Sequence, residues 1–96
     1  MSDTFKILIH QNESCLHLKL YGEFDGEAAQ ELLNIVKRRG RRNSRVFIHT
    51  SSLSEVHPLG RTLFKERCEG FRSTSVSLIF TGEQADRLAP RGSTRI

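Results

Sequence analysis

No apolar run in the 96 residues approaches the roughly 18–20 needed to span a bilayer. The opening MSDTFKILIH lacks the basic and apolar regions of a secretory leader. Cysteine is scarce: Cys15 and Cys68 stand far apart and make no disulfide framework. Internal repeats and low-complexity tracts are missing. So are GxGxxG and GxxxxGK[ST], which removes support for dinucleotide and P-loop chemistry. GxSxG is absent, and no HxxxH or CxxC pair sets two metal ligands side by side. These absences exclude membrane spans, secreted miniproteins and large multi-domain enzymes, and they lead us to expect a cytoplasmic chain with one modest core.

What is present is ordinary for a globular domain: 36% hydrophobic and 27% charged residues. Lys and Arg number 15 against 11 for Asp and Glu, a net charge of +4. Residues 1–36 carry two basic and six acidic groups, or −4; residues 37–45, KRRGRRNSR, carry six basic groups and no acid, or +6. Residues 46–96 carry seven basic and five acidic groups, or +2. The basic balance therefore comes from one short block. Helix capping is the simpler account of it, and a binding patch is the alternative.

Phe5, Ile7 and Ile9 alternate with polar neighbours, as do Leu16, Leu18 and Leu20, the period of two expected of strands with one buried face. Gln11 to Ser14 reads as a four-residue turn, pairing His10 with Cys15. Asp25 then caps a helix whose stripe is Ala28, Ala29, Leu32, Leu33, Ile35 and Val36, with Lys37 to Arg39 at its negative end and Gly40 as the stop. Val46-Phe47-Ile48 reads as a strand covered by its neighbours, followed by a polar loop pinned by Leu53 and Val56. Pro58 opens a second helix whose expected buried side is Leu59, Leu63, Phe64, Cys68 and Phe71. Val76 to Phe80 reads as a strand and Glu83 to Leu88 as a short helix stopped by Pro90. The expected order is ββαβαβα: an α/β domain over residues 1–90, with a mixed four-stranded sheet, helices mainly on one face, and a frayed tail at 91–96.

His10, Cys15 and His17 share the outer face of the expected hairpin, but a fourth ligand is missing and half-exposed strand residues are the simpler reading. No metal or cofactor is expected. Ser51, Ser52 and Ser54 near His49 and His57 suggest a serine nucleophile, yet no acid is placed to orient either imidazole. Glu23 and Asp25 need a pocket to act as an acid–base pair. With Phe5, Phe47, Phe64, Phe71 and Phe80 assigned to the core, no stacking platform for nucleic acid remains. A non-enzymatic role follows.

Val46 to Gly60, VFIHTSSLSEVHPLG, resembles the central signature of STAS domains, the anti-sigma-factor antagonist family. That pattern is a strand ending in Asp, a Ser-containing loop, then Asp-Ser-Ser/Thr-Gly opening a helix. Upstream, Leu18 to Val36 resembles the family's strand, its Gly-x-hydrophobic-Asp turn (here Gly22-Glu23-Phe24-Asp25) and its small-residue helix; Val76 to Gly82 resembles a later strand. The chain departs where it matters most. His49 and His57 replace the two Asp residues, and Pro58 replaces the serine that antagonists have phosphorylated. The resemblance implies a protein-interaction module in bacterial signalling, with a partner such as an anti-sigma factor, a serine kinase or another signalling protein. The implied docking face comprises Glu23, Phe24, Asp25 and Gly26 with Ser51, Ser52, Ser54, Glu55, His57, Pro58, Leu59 and Arg61. Ser51, Ser52 or Ser54 are the substitute phosphorylation positions. The alternative is nucleic-acid or acidic-surface binding through Lys37, Arg38, Arg39, Arg41, Arg42 and Arg45, at the opposite pole.

Overall fold

The computed structural model describes residues 5–39, 45–68, 77–89 and 94–95. Its elements run β1 (Lys6–Asn12), β2 (Cys15–Phe24), α1 (Gly26–Arg39), β3 (Arg45–His49), β4 (Leu53–Val56), α2 (Pro58–Cys68), β5 (Ser77–Thr81), α3 (Ala85–Leu88) and β6 (Thr94–Arg95). The strands lie in the order β1-β2-β3-β5-β6, and β4 pairs with β2 beyond the end of β3. β1 is antiparallel to β2, whereas β2–β3 and β3–β5 are parallel, as alternation with helices requires. The architecture is thus the expected mixed α/β sheet, with β4 and β6 added to the expected four strands.

The hairpin register differs from expectation by two residues. Ile7 faces Leu20, Ile9 faces Leu18 and Asn12 faces Cys15, leaving a two-residue turn of Glu13 and Ser14. Glu13 takes φ 50°, as such turns demand, and the Gln11 side chain donates to its carbonyl at 3.1 Å. A shift of two preserves side-chain parity, so Phe5 and Ile7 still pack against the core, whereas Ile9, expected on the buried face, is exposed.

Leu16, Leu18, Leu20, Val46, Ile48 and Phe80 form the covered face of the sheet, closed by Ala28, Ala29, Leu32, Leu33, Ile35 and Val36 of α1 and by Phe64 and Cys68 of α2. Asp25 Oδ1 accepts the Ala28 amide at 2.9 Å, the cap expected of it. Val46 and Ile48 are buried, but Phe47 between them points to the other face and is half-buried. Its assignment to the core is corrected by strand parity.

In α2 the inward line is Gly60, Phe64 and Cys68, one residue per turn at spacing four. Leu59, expected on that side, is 71% exposed. The cause is a close approach: a Cβ on Gly60 would lie 2.6 Å from the Asp25 carbonyl oxygen and 2.7 Å from that of Phe24. Only glycine can face the β2–α1 backbone there, which turns Leu59 outward.

The stretch read as a polar loop is largely β4, and Thr94–Arg95, within the stretch expected to fray, pair in parallel with β5. Gly40, Arg41, Arg42, Phe71, Val76, Pro90 and the rest of the tail lie outside the described residues. No helix among the described residues is long and apolar enough to cross a membrane.

A candidate interaction pole at the start of the second helix

Four chain segments converge beyond the carboxyl end of β3. β2 continues past β3 and takes β4 as its new neighbour, pairing Gly22 with Leu53, Glu23 with Glu55 and Phe24 with Val56. The register breaks between Gly22 and Glu23, where Gly22 has φ 91°. This irregularity skips Ser54 and sets two carboxylates side by side on neighbouring strands. Immediately after β4, the His57 amide donates to the Phe24 carbonyl at 2.9 Å, and Pro58 follows as the first residue of α2. Contrary to the sequence expectation, an acid does orient this imidazole: its Nε2 meets Glu23 Oε1 at 2.8 Å, with Glu55 Oε2 3.8 Å from Nδ1. The hydrogen bond to Glu23 raises the His57 pKa above 6.5; desolvation opposes it, and the negative charges of Glu55, Glu23 and Asp25 add to it.

Phe24, assigned to the docking face, offers no surface there. It is fully buried, edge-on to Phe5 at 6.0 Å and to Phe64 at 5.9 Å. A large apolar side chain preceding a capped helix is more stable inside the core than in water. Leu59 takes the exposed apolar position instead, leaning over Gly26, whose added Cβ would sit 3.4 Å from Leu59 Cδ2. Of the other residues assigned to this pole, Glu23, Asp25, Gly26 and His57 are half-buried. Ser51, Ser52, Ser54, Glu55, Pro58 and Arg61 are exposed.

The serine turn is set apart from this cluster. Ser51 packs against Gly82, where a Cβ would come within 2.6 Å of the Ser51 amide nitrogen, and the Ser52 carbonyl accepts the Gly22 amide at 3.4 Å. Beneath the turn lies Thr50, fully buried. Its hydroxyl donates to the Thr81 carbonyl at 2.7 Å and accepts the Gln84 amide at 3.1 Å. Nothing in the local sequence marks Thr50, yet it ties β3 to the start of α3.

On the sheet face opposite the Leu16–Leu18–Leu20 core, His17 Nδ1 and His49 Nε2 are 3.0 Å apart, and His49 Nδ1 is 2.7 Å from Thr81 Oγ1. Phe47 stacks on His17 at 4.7 Å. One imidazole must donate and the other accept in this pair, so both cannot be protonated while it lasts. Burial lowers the His49 pKa, and His17 and Lys19 lower it further. The alternation in RVFIH carried the signal that Phe47 and His49 share a face.

The basic block lies at the opposite pole, where the Arg45 amide meets the Ser14 carbonyl of the β1–β2 turn at 3.5 Å. Lys37, Arg38 and Arg39 are exposed in the last turn of α1, with Arg38 Nε donating to the Asn34 carbonyl at 3.4 Å. Arg45 is exposed at the start of β3, while Arg41 and Arg42 lie outside the described residues.

No protein-family model matches the chain, and no curated protein matches its sequence. Solved structures do resemble it. "Crystal Structure Analysis of Mglu" superposes with a TM-score of 0.68 at 15% identity, covering 76% of this chain and only 18% of that one. The unphosphorylated anti-sigma factor antagonist SpoIIAA gives 0.65 at 13% identity, covering 96% and 86%. An uncharacterised protein from Shewanella loihica PV-4, described as having a SpoIIAA-like fold, gives 0.58 at 12% identity, covering 86% and 72%. At such identities the likeness is one of fold. The chain folds as a STAS-like domain, as the sequence resemblance implies.

Proposed function

We propose that the protein is a non-enzymatic interaction module of bacterial signal transduction that docks onto another protein through the pole at the start of α2. The observation that carries this reading is Leu59: a large apolar side chain, 71% exposed, on the first turn of a helix clamped to the β2–α1 backbone through Gly60. Burying it against a partner contributes about 2 kcal/mol, or about thirtyfold in affinity. The stiff backbone around Pro58 limits the ordering cost of association. Gly26, Glu23, His57 and Arg61 form the polar rim. The partner class is a kinase-type anti-sigma factor or a related signalling protein, by analogy with SpoIIAA, whose fold this chain shares.

Pro58 has no hydroxyl, so phosphorylation cannot act at the position that antagonists use. A phosphate adds about −1.5 to −2 charge and would repel the carboxylates already at this pole. Docking in this protein therefore proceeds without that covalent switch, unless Ser51, Ser52 or Ser54 takes it over. The test is titration calorimetry of the chain against a kinase-type anti-sigma factor. A stoichiometric complex weakened by Leu59→Asp and indifferent to neutralising Lys37, Arg38 and Arg39 upholds the reading; absence of any complex with that class removes the anti-sigma assignment.

A second reading, binding of nucleic acid or an acidic surface, gains one observation: the half-buried Phe47 lies on the sheet face opposite the core, which also carries Lys19 and the exposed Arg45. A gel shift that weakens steeply with salt and disappears when residues 37–45 are neutralised would favour it.

A further inference from the structure

We propose that Glu23, Glu55 and His57 form a binding site for a borderline divalent cation of the Zn²⁺ class. This goes beyond docking and does not depend on it, because binding is measured on the chain alone. One ligand atom from each of the three residues lies within 4.8 Å of both others. The donor set, two carboxylates and one imidazole, is mixed oxygen and nitrogen, which Zn²⁺ accepts and which suits Mg²⁺ poorly.

The backbone builds the site from three directions. The irregularity after Gly22 brings Glu23 of β2 level with Glu55 of β4. The two carboxylates repel each other across the paired strands, and the His57 imidazole, 2.8 Å from one and 3.8 Å from the other, occupies the place between them that a cation would share. His57 enters from the β4–α2 junction, fixed by the hydrogen bond its amide donates to the Phe24 carbonyl and by Pro58. Phe24, the residue between Glu23 and the Asp25 helix cap, is fully buried and anchors the end of β2.

An ion on Nε2 needs the Glu55 carboxylate, now 3.8 Å from Nδ1, to swing toward the Glu23 side of the ring. Bonds of about 2.0–2.1 Å in a tetrahedron put ligand atoms about 3.3 Å apart. The 2.8 Å contact of His57 Nε2 with Glu23 Oε1 must open by about half an ångström as the metal replaces the imidazole proton, a displacement within side-chain rotation. Side-chain exposures of 41% for Glu23, 62% for Glu55 and 36% for His57 leave the ion an open approach. Three protein ligands leave a position for water or for a carboxylate brought by a partner.

The experiment is calorimetric titration of the intact chain with ZnCl₂ in a non-chelating buffer, with melting temperature as a second readout. The wild type should bind one equivalent and melt higher. Glu55→Gln and Glu23→Gln should each weaken binding by about tenfold or more, and His57→Gln should abolish it. Their exposure lets all three variants fold, and far-ultraviolet circular dichroism checks that they do. His17→Gln, which removes an imidazole on the other sheet face, should bind as the wild type does. Failure of the wild type to saturate at millimolar Zn²⁺ overturns the proposal. So does wild-type affinity in Glu55→Gln and Glu23→Gln, or loss of binding in His17→Gln.

Discussion

Cys15 and Cys68 look alike in sequence and differ in chemistry through burial alone. Cys68 sits on the inner line of α2, 2% exposed, and desolvation pushes its thiol pKa up to about 12. Its thiolate fraction at pH 8 is then about one in ten thousand, against a sizeable fraction for an ordinary thiol of pKa about 8.5. A disulfide-exchange reagent at pH 8 should accordingly titrate one thiol, Cys15, in the native protein and two in denaturant; two fast equivalents in the native state would contradict the packing of α2. His49 carries the opposite kind of shift. Its folded pKa lies below 6.5 because burial, His17 and Lys19 disfavour its cation, so the unfolded chain takes up that proton first. Its contribution makes stability fall as pH drops below 6.5. His57, raised by Glu23 and its acidic neighbours, acts with the reverse sign, its contribution complete below 6.5 and lost as pH rises through its folded pKa. Urea midpoints measured from pH 7.5 to 5 should therefore fall more steeply for the wild type than for His49→Gln, and equal slopes would dissociate His49 from the acid response.

Among the elements, α2 shows how a backbone contact overrides a pattern of side chains. Its first turn presses on the β2–α1 turn, and Gly60 leaves no space for a methyl group beside the Asp25 and Phe24 carbonyls. Gly60→Ala gains about 1 kcal/mol of helix propensity but costs about 1–3 kcal/mol or more in displaced backbone, so a net loss is expected in the urea midpoint. A stabilised Gly60→Ala would mean that this contact is looser than described. The same contact explains why the rotation of α2 was not legible in the sequence. Strands β1 and β2 and helix α1 were legible because their alternation, stripe and cap are local properties. Leu59 was misplaced because its neighbour's close approach to another element decides the rotation of α2. Strand β4 was read as loop because its pairing with β2 depends on the irregularity after Gly22, which no local periodicity records. The two-residue hairpin turn escaped for a related reason: a shift of two leaves parity intact, so side-chain faces cannot distinguish the registers. At the pole, Glu23, Glu55 and His57 were each identified, but their convergence was not, since they come from different segments.

Over the whole molecule, charge and shape divide by pole. The cations of α1's last turn and of Arg45 gather at the start of β3, while Glu23, Glu55, His57 and Leu59 gather beyond its end. One pole thus favours polyanions through charge alone, and the other offers an apolar side chain on a rigid turn with a polar rim. Only the second matches the region through which the resemblance implies recognition, and by that same resemblance Pro58 replaces a switchable serine. The most direct measurement is the affinity for a kinase-type anti-sigma factor of the wild type, of Leu59→Asp, and of a variant with Lys37, Arg38 and Arg39 neutralised. Docking at the start of α2 predicts that Leu59→Asp loses about thirtyfold or more while its melting temperature holds and the neutralised variant binds unchanged. Unaltered affinity in Leu59→Asp, or loss confined to the neutralised variant, would contradict it.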